Sequence, residues 1–585
     1  MTQNQSNKKI KIWSSIIIIF SILGFFVCIA VLFPQIRRMI MDLAAQIVQR
    51  EASSYQAWIN ALFSYAMGGI CFILFFDYCT LTKSGRTLVQ NIKQEIKDCL
   101  SDIDFKVFIR PVLLMFAVYL LGILTIIRAN FLYCDDLRRA VAGTRIWYDY
   151  SRYVSEFSSI FVHGDTNLTD ISPLPQLIAI FILAISSVLL VYIIGNRKIT
   201  IIRLLASIPI GLSPYFLECL SYKFDSPYMA LSILVSIIPF LFISRKKVFL
   251  FISVISLLIM CMAYQPSSGI YMLIAVILCF QYWSNREKTN KEILSFLGIS
   301  ISAFCFAMLC FRFFLMIPAD TYVSTAMHPL YNIISGIMNN IKGYAMIINN
   351  DLSIIWKIGI IFVTLFFITQ SVCQSAQNKI ISFFVSILVI GLSFILSYGA
   401  YSLLEKPLFV PRALLGFGVF LAILCIYIAD YRKSSTLIVL ALNWCIFVFA
   451  FSYGNALADQ ARYAEFRISI LLRDLNSLYP NLDREGLPIQ LKNSIDYAPT
   501  IINIAKHNPV IKKLVPKRLS GDSSWDYFYF LEYFNYSCAK KTNLPNYLRK
   551  NEYIDFNILN LPVALDSYYH TIQSDGEHIL VILKH

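Results

Sequence analysis

Uncharged apolar runs recur along this chain at close to the ~20 residues an α-helix needs to cross a bilayer. About thirteen can be traced, the last ending at Phe451. A soluble helix keeps one polar face, and these runs have none. Of 585 residues, 57% are hydrophobic and only 15% charged, against about 25% charged in an average soluble protein. The chain therefore reads as an all-α polytopic membrane protein, with about 13 transmembrane helices and a small C-terminal α/β domain.

The expected spans cover residues 12–33, 58–76 and 107–127, then a run that begins after Pro175 and ends at Gly195. Further spans follow at 199–216, 228–243 and 248–263, then one between YQPSSG and NREKTNKE, and one at 293–317. After a polar loop, 318–352, come a span ending near Gln370 and spans at 380–398, 408–429 and 436–451. The N-terminal MTQNQSNKKIKIW has the basic start of a signal peptide. Its apolar run is too long for one and no small-x-small site follows, so it reads as a retained span. Residues 88, 92, 96 and 100 form an apolar helical stripe in a basic segment, either a helix on the membrane surface or a solvated connector. Three parts result: 1–106, an N-terminal two-span segment; 107–452, a transmembrane catalytic domain; and 453–585, a polar tail with strands in LPIQLKN and HILVILK.

The formal net charge of +15 would point to nucleic acid on a soluble domain. Here alternate short loops carry it: NKKIK, residues 78–106, NRK, SRKK, NREKTNK and DYRK. By the positive-inside rule these loops and the N-terminus face the cytoplasm, and the tail lies on the other side. One loop breaks the pattern. The polar island at 128–176 falls on the outer side yet holds Arg128, Arg138, Arg139, Arg145 and Arg152. Arginine there needs another reason, and binding phosphate is one.

The island also holds the adjacent carboxylates Asp135 and Asp136, Glu156, and Asp170 before a Pro-x-Pro. A carboxylate so placed can take the proton of an attacking hydroxyl, and an aspartate before LRRAVAGTRIW is equally good helix-capping chemistry. Arg138, Arg139 and Arg152 suit either a phosphate or interfacial snorkelling. Glu218, Lys223 and Asp225 in PYFLECLSYKFDSP, with Tyr264 and Gln265 in YQPSSG, lie at span ends on the same side. Ionisable groups so placed are costly unless they pair or serve a site, and with Glu156 and Asp170 they are the candidate substrate-binding residues. Arg412 in LFVPRALLG is a lone charge near the start of an apolar span, a candidate for a phosphate or a protein carboxylate. Most of the 14 cysteines lie inside apolar runs, no CxxC pair occurs, and the tail has only Cys538. The six histidines show no metal-ligand spacing. No cofactor is called for, and a divalent metal at Asp135–Asp136 stays open.

The ordered set NFLYCDDLRRAVAG, SRYVSE, DISPLPQLIA, PYFLECLSYKFDSP with Met229, YQPSSGIY and PRALLGFG resembles the bacterial O-antigen glucosyltransferases of the serotype-converting Gtr type II group. The tail segment NPVIKKLVPKRLS fits as well. The likeness covers about residues 107–540, and the first two spans are additional to it. It implies a GT-C-like fold in the bacterial inner membrane with a periplasmic site. The implied donor is undecaprenyl-phosphate-linked sugar, usually glucose, and the implied acceptor an O-antigen glycan in lipopolysaccharide modification. Asp135 or Asp136 becomes the base of a single inverting displacement, and Arg138, Arg139, Arg152 and Arg412 the donor phosphate ligands. Two rivals stand beside it: a lipid-linked sugar or polysaccharide flippase, which predicts broken helices near the bilayer midplane, and an O-antigen polymerase.

Overall fold

The computed structural model describes residues 83–101, 103–317, 325–480, 489–520 and 560–584. The spans expected at 12–33 and 58–76, and Cys538, lie outside them.

The helices are α1 (Lys83–Ser101), α2 (Lys106–Ala129), α3 (Asp135–Ala142), α4 (Tyr153–His163), α5 (Leu174–Ile194), α6 (Ile201–Ala206), α7 (Pro209–Leu212), α8 (Pro214–Ser221), α9 (Ser226–Ile237) and α10 (Lys246–Ala263). They continue as α11 (Gly269–Ser284), α12 (Asn290–Cys310), α13 (Ile333–Asp351), α14 (Ile354–Gln374), α15 (Lys379–Ser397), α16 (Gly416–Ile428), α17 (Lys433–Leu478), α18 (Pro499–Ala505) and α19 (Ile511–Leu514). Strands β1 (Ile489–Lys492), β2 (Val563–Asp566), β3 (His570–Ser574) and β4 (Ile579–Leu583) form one sheet, ordered β1-β4-β3-β2. β1 runs parallel to β4, and the other pairs are antiparallel.

Among the described residues, 9 helices are long and apolar enough to cross a membrane, or 10 if one bent pair counts as a span. These helices are compatible with a multi-pass membrane protein, and the described chain is mostly helical with a small sheet near its C-terminus. Three expectations change in detail. The run at 199–216 is broken: α6–α7 and α8 meet at 60° around Ser213, where Pro214 opens the new helix and the Ser213 hydroxyl accepts the Phe216 N–H. The run at 228–243 forms an apolar helical segment, Ser226–Phe242, that falls below the length of the nine. The expected polar loop 318–352 contains α13, whose buried residues Gly336, Asn340, Tyr344 and Ile348 recur every fourth position. That stripe mixes polar and apolar side chains, so hydropathy does not reveal it.

The apolar content of each helix fixes its depth. α16 is apolar all round and lies at the centre, with 89% of the span Pro411–Ile428 buried. α14 and α15 instead expose Ile355, Ile358, Phe362, Phe384 and Leu388, as lipid-facing helices do. α17 crosses α2, where Gly454 lets the backbones approach: a Cβ there would sit 2.5 Å from the Thr125 carbonyl carbon. α17 then continues past the apolar region for a total of 46 residues and carries the sheet on its extension.

The ends of these helices differ. One end gathers Arg197, Lys198, Arg245, Lys246, Lys247, Arg286, Lys291, Arg432 and Lys433, all exposed. The other gathers the polar island, the end of α8, Tyr264, Arg412 and the segment 510–519.

Candidate active site

The island is placed by α2 and α3. α2 ends at Asn130 in a left-handed turn, and Cys134 takes φ 42° directly before α3. A side chain held at positive φ costs of order 1–3 kcal/mol, so its neighbours must hold it. Tyr133 does so: its ring packs edge-on at 4.8 Å from Tyr222, and its hydroxyl donates to the Leu514 carbonyl at 2.7 Å.

This turn splits the aspartate doublet. Asp136 is fully buried, and its Oδ2 accepts the backbone N–H of Lys223 at 2.9 Å and of Tyr133 at 3.1 Å. It ties the island to the end of α8. Burial pushes its pKa up to about 7, against the opposing pull of those N–H groups, Arg139 and Lys223. Asp135 is exposed, and no hydrogen bond or ion pair joins its carboxylate to another described residue. It shares its surroundings with Arg412: both act electrostatically on Cys134 and Tyr222.

The arginines divide in the same way. Arg139 is buried, ion-paired to Asp225, and lies 4.3 Å over the Trp147 ring. Asp225 also accepts the Trp147 indole N–H. Arg145 pairs with Glu156 at 3.2 Å, and Glu156 accepts the Trp147 N–H at 3.1 Å. These groups brace the loop 145–148. Arg138 is half-buried beside Asp149.

Arg152 and Arg412 stand apart from that bracing. Arg152 donates to Gln265 Oε1 at 3.3 Å and lies over the rings of Tyr264 (4.8 Å) and Tyr150 (5.5 Å). Arg412 is held by Glu218 at 2.9 Å, keeps about 20% of its side chain exposed, and lies 5.4 Å from the Tyr222 ring. Both guanidinium groups act on Tyr264 and Cys219. They therefore converge on one wall. Glu218, itself buried, also accepts from the Tyr133 hydroxyl at 3.3 Å. Lys223 is buried and donates to Asn130 (2.6 Å) and Asp170 (2.8 Å).

The structure thus assembles the sequence candidates at one end of the bundle and sorts them. Asp136, Arg139, Glu156, Glu218 and Asp225 are braces, the buried Lys223 pairs separately with the exposed Asp170, Asp135 is exposed, and Arg152 and Arg412 are half-buried. Among the described residues, no group of three or more His, Cys, Asp or Glu side chains converges as a metal site.

Sequence reasoning passed over two members. Arg518 is buried, lies 4.1 Å over Phe131, and donates to the Leu132 carbonyl. Its only signal was the segment NPVIKKLVPKRLS. Asp149 is another exposed island carboxylate, and desolvation raises its pKa above the ordinary carboxylate value.

Comparison with known proteins points to one family. A family described as "Glucosyl transferase GtrII" matches residues 124–423, which hold every charged residue of the site except Arg518. The chain is 24% identical over 417 residues to an uncharacterized 55.3 kDa protein in the gtrB 5′ region of Salmonella phage P22, covering 67% of this chain and 84% of that protein. No solved structure matches the chain.

Proposed function

The chain belongs to the glucosyl transferase GtrII family, and from that premise we propose that it moves glucose from undecaprenyl-phosphate glucose to a sugar of the O-antigen. Arg152 and Arg412 hold the donor phosphate and stabilise the charge that develops on it as the sugar leaves. Asp135 takes the proton of the acceptor hydroxyl as its oxygen attacks the anomeric carbon. The single displacement inverts that carbon. A phosphate leaving group is already a stable anion and needs no proton, so one carboxylate suffices. The exposed basic residues at the opposite end support a cytoplasmic placement for that end in the inner membrane, with the site on the periplasmic side.

One observation carries the choice of base. Within the doublet only Asp135 has an unengaged carboxylate, and it lies by Tyr222 and Cys134 together with Arg412. Asp149, exposed and beside Arg138, is the alternative. Purified protein supplied with polyprenyl-phosphate glucose and an O-antigen acceptor gives the test. Asp135→Asn is expected to lower kcat by about 10²–10⁴-fold without lowering thermal stability. Wild-type turnover in folded Asp135→Asn overturns the assignment, and loss in Asp149→Asn instead moves the base there. Mass analysis of the product separates this reading from a polymerase: a single added hexose is expected, not a longer chain.

A further inference from the structure

A cavity beside the site has no role in the chemistry above. It encloses about 280 Å³ between the end of α2, the first turn of α5, the end of α8 and Leu457 of α17. Its walls are of two kinds. Phe131 and Leu457 give it an apolar side, while Asn130, Ser172, Gln176 and Lys223 supply polar groups.

Gln176 is the informative residue. It is only 3% exposed, its Oε1 is buried without a partner, and its amide nitrogen makes no hydrogen bond to any described residue. A buried amide oxygen without a partner is costly, and a leucine there would avoid the cost. Such a group is retained where something else completes its hydrogen bonds. Lys223 adds a second donor. Two of its three ammonium protons go to Asn130 and Asp170, which leaves one. Asp170 at 2.8 Å also neutralises the charge. The cavity therefore does not suit a phosphate, which Asp170 would repel. An apolar wall facing a few convergent donors and acceptors suits a neutral hydroxylated ring. The volume is near the ~300 Å³ lower limit of ordinary ligand pockets, too small for an isoprenoid tail.

We infer that this cavity binds one pyranose ring, with Gln176 and Lys223 on its hydroxyls and Phe131 and Leu457 against its C–H face. The inference rests on the transferase reading for the source of that ring, which is either the glucose of the donor or a sugar of the acceptor glycan. The Lys223 N–H also donates to Asp136, so the occupant is held in register with the aspartate doublet.

The probe is methyl glucoside, followed by saturation-transfer NMR on the full chain in sugar-free amphipol. Wild type is expected to give a signal that Gln176→Leu weakens by about two- to tenfold, the value of one hydrogen bond. Leu457→Trp, which fills the cavity from the apolar side, is expected to abolish it and serves if Gln176→Leu does not fold. Displacement by polyprenyl-phosphate glucose identifies the donor as the source, and displacement by an acceptor oligosaccharide identifies the acceptor. No signal in wild type, or equal signals in wild type and both variants, overturns the proposal. Binding is read without turnover, so a protein that binds the probe as described yet transfers no glucose refutes the donor reading and leaves the cavity standing.

Discussion

The two ends of the helical bundle use the same residue types in opposite ways. At the basic end the charges are exposed, and a representative pair, Arg203–Asp430 at 2.8 Å, leaves 21% and 35% of its side chains open. At the site end Arg139 and Asp225 pair with only 8% and 5% exposed. Taking two charges out of water costs several kcal/mol per ion, and nothing about crossing a membrane requires it. The basic end needs only the sign of its charge, which electrostatics reads at a distance. The site end needs position, and buried pairs give it because each ion accepts only a few geometries.

The comparison breaks most visibly at Asp225. Asp225→Ala leaves the Arg139 guanidinium buried beside Trp147 with its partner gone. It is expected to cost about 3–5 kcal/mol, seen as a large fall in the thermal unfolding midpoint of the purified protein. A loss below about 1 kcal/mol would mean that this pair is no more a brace than a surface pair is.

Asp136 sharpens the same comparison within one dipeptide. Asp136→Ala strands the N–H groups of Tyr133 and Lys223 and is expected to cost about 1–3 kcal/mol. Asp136→Asn keeps an amide oxygen where Oδ2 accepts both, so a smaller loss is expected. The pH dependence has a definite sign. A carboxyl raised to about 7 in the folded protein binds more protons folded than unfolded. Its contribution is present below the unfolded value near pH 4 and is lost as pH rises through about 7. Unfolding midpoints at about pH 5 and about pH 8 should differ less in Asp136→Asn than in wild type. An unchanged difference would show that Asp136 is ionised throughout.

Much of the fold was legible because hydrophobicity is a local property. The runs that became α2, α5, α10, α14 and α15 announce themselves by length and the absence of charge. α13 did not, because Asn340 and Tyr344 hold its buried stripe through long-range partners, the carbonyls of Ser402 and Leu404 and the hydroxyl of Ser397. The site shows the same divide. Chain order places the acids and arginines at span ends, and that was enough to collect them. The distinction between Asp135 and Asp136 depends on the Lys223 backbone, 87 residues away from Asp136, and no local pattern encodes it. Arg518 was invisible for the same reason, since its bond to the Leu132 carbonyl spans 386 residues of sequence.

The smallest expected effect tests the other half of the comparison. Arg203 reaches Asp430 from a partly open position and also donates to the Gly195 carbonyl at 2.9 Å. A pair of this exposure is worth about 0–1 kcal/mol. Arg203→Met keeps the apolar stem, so the unfolding midpoint should move by no more than that, and salt should weaken the wild-type pair further. The variant should also transfer glucose at the wild-type rate, since Arg203 lies at the end of the bundle away from Asp135. A loss of stability as large as that of Asp225→Ala would show that the basic end is braced by geometry too, and the contrast between the two ends would fail.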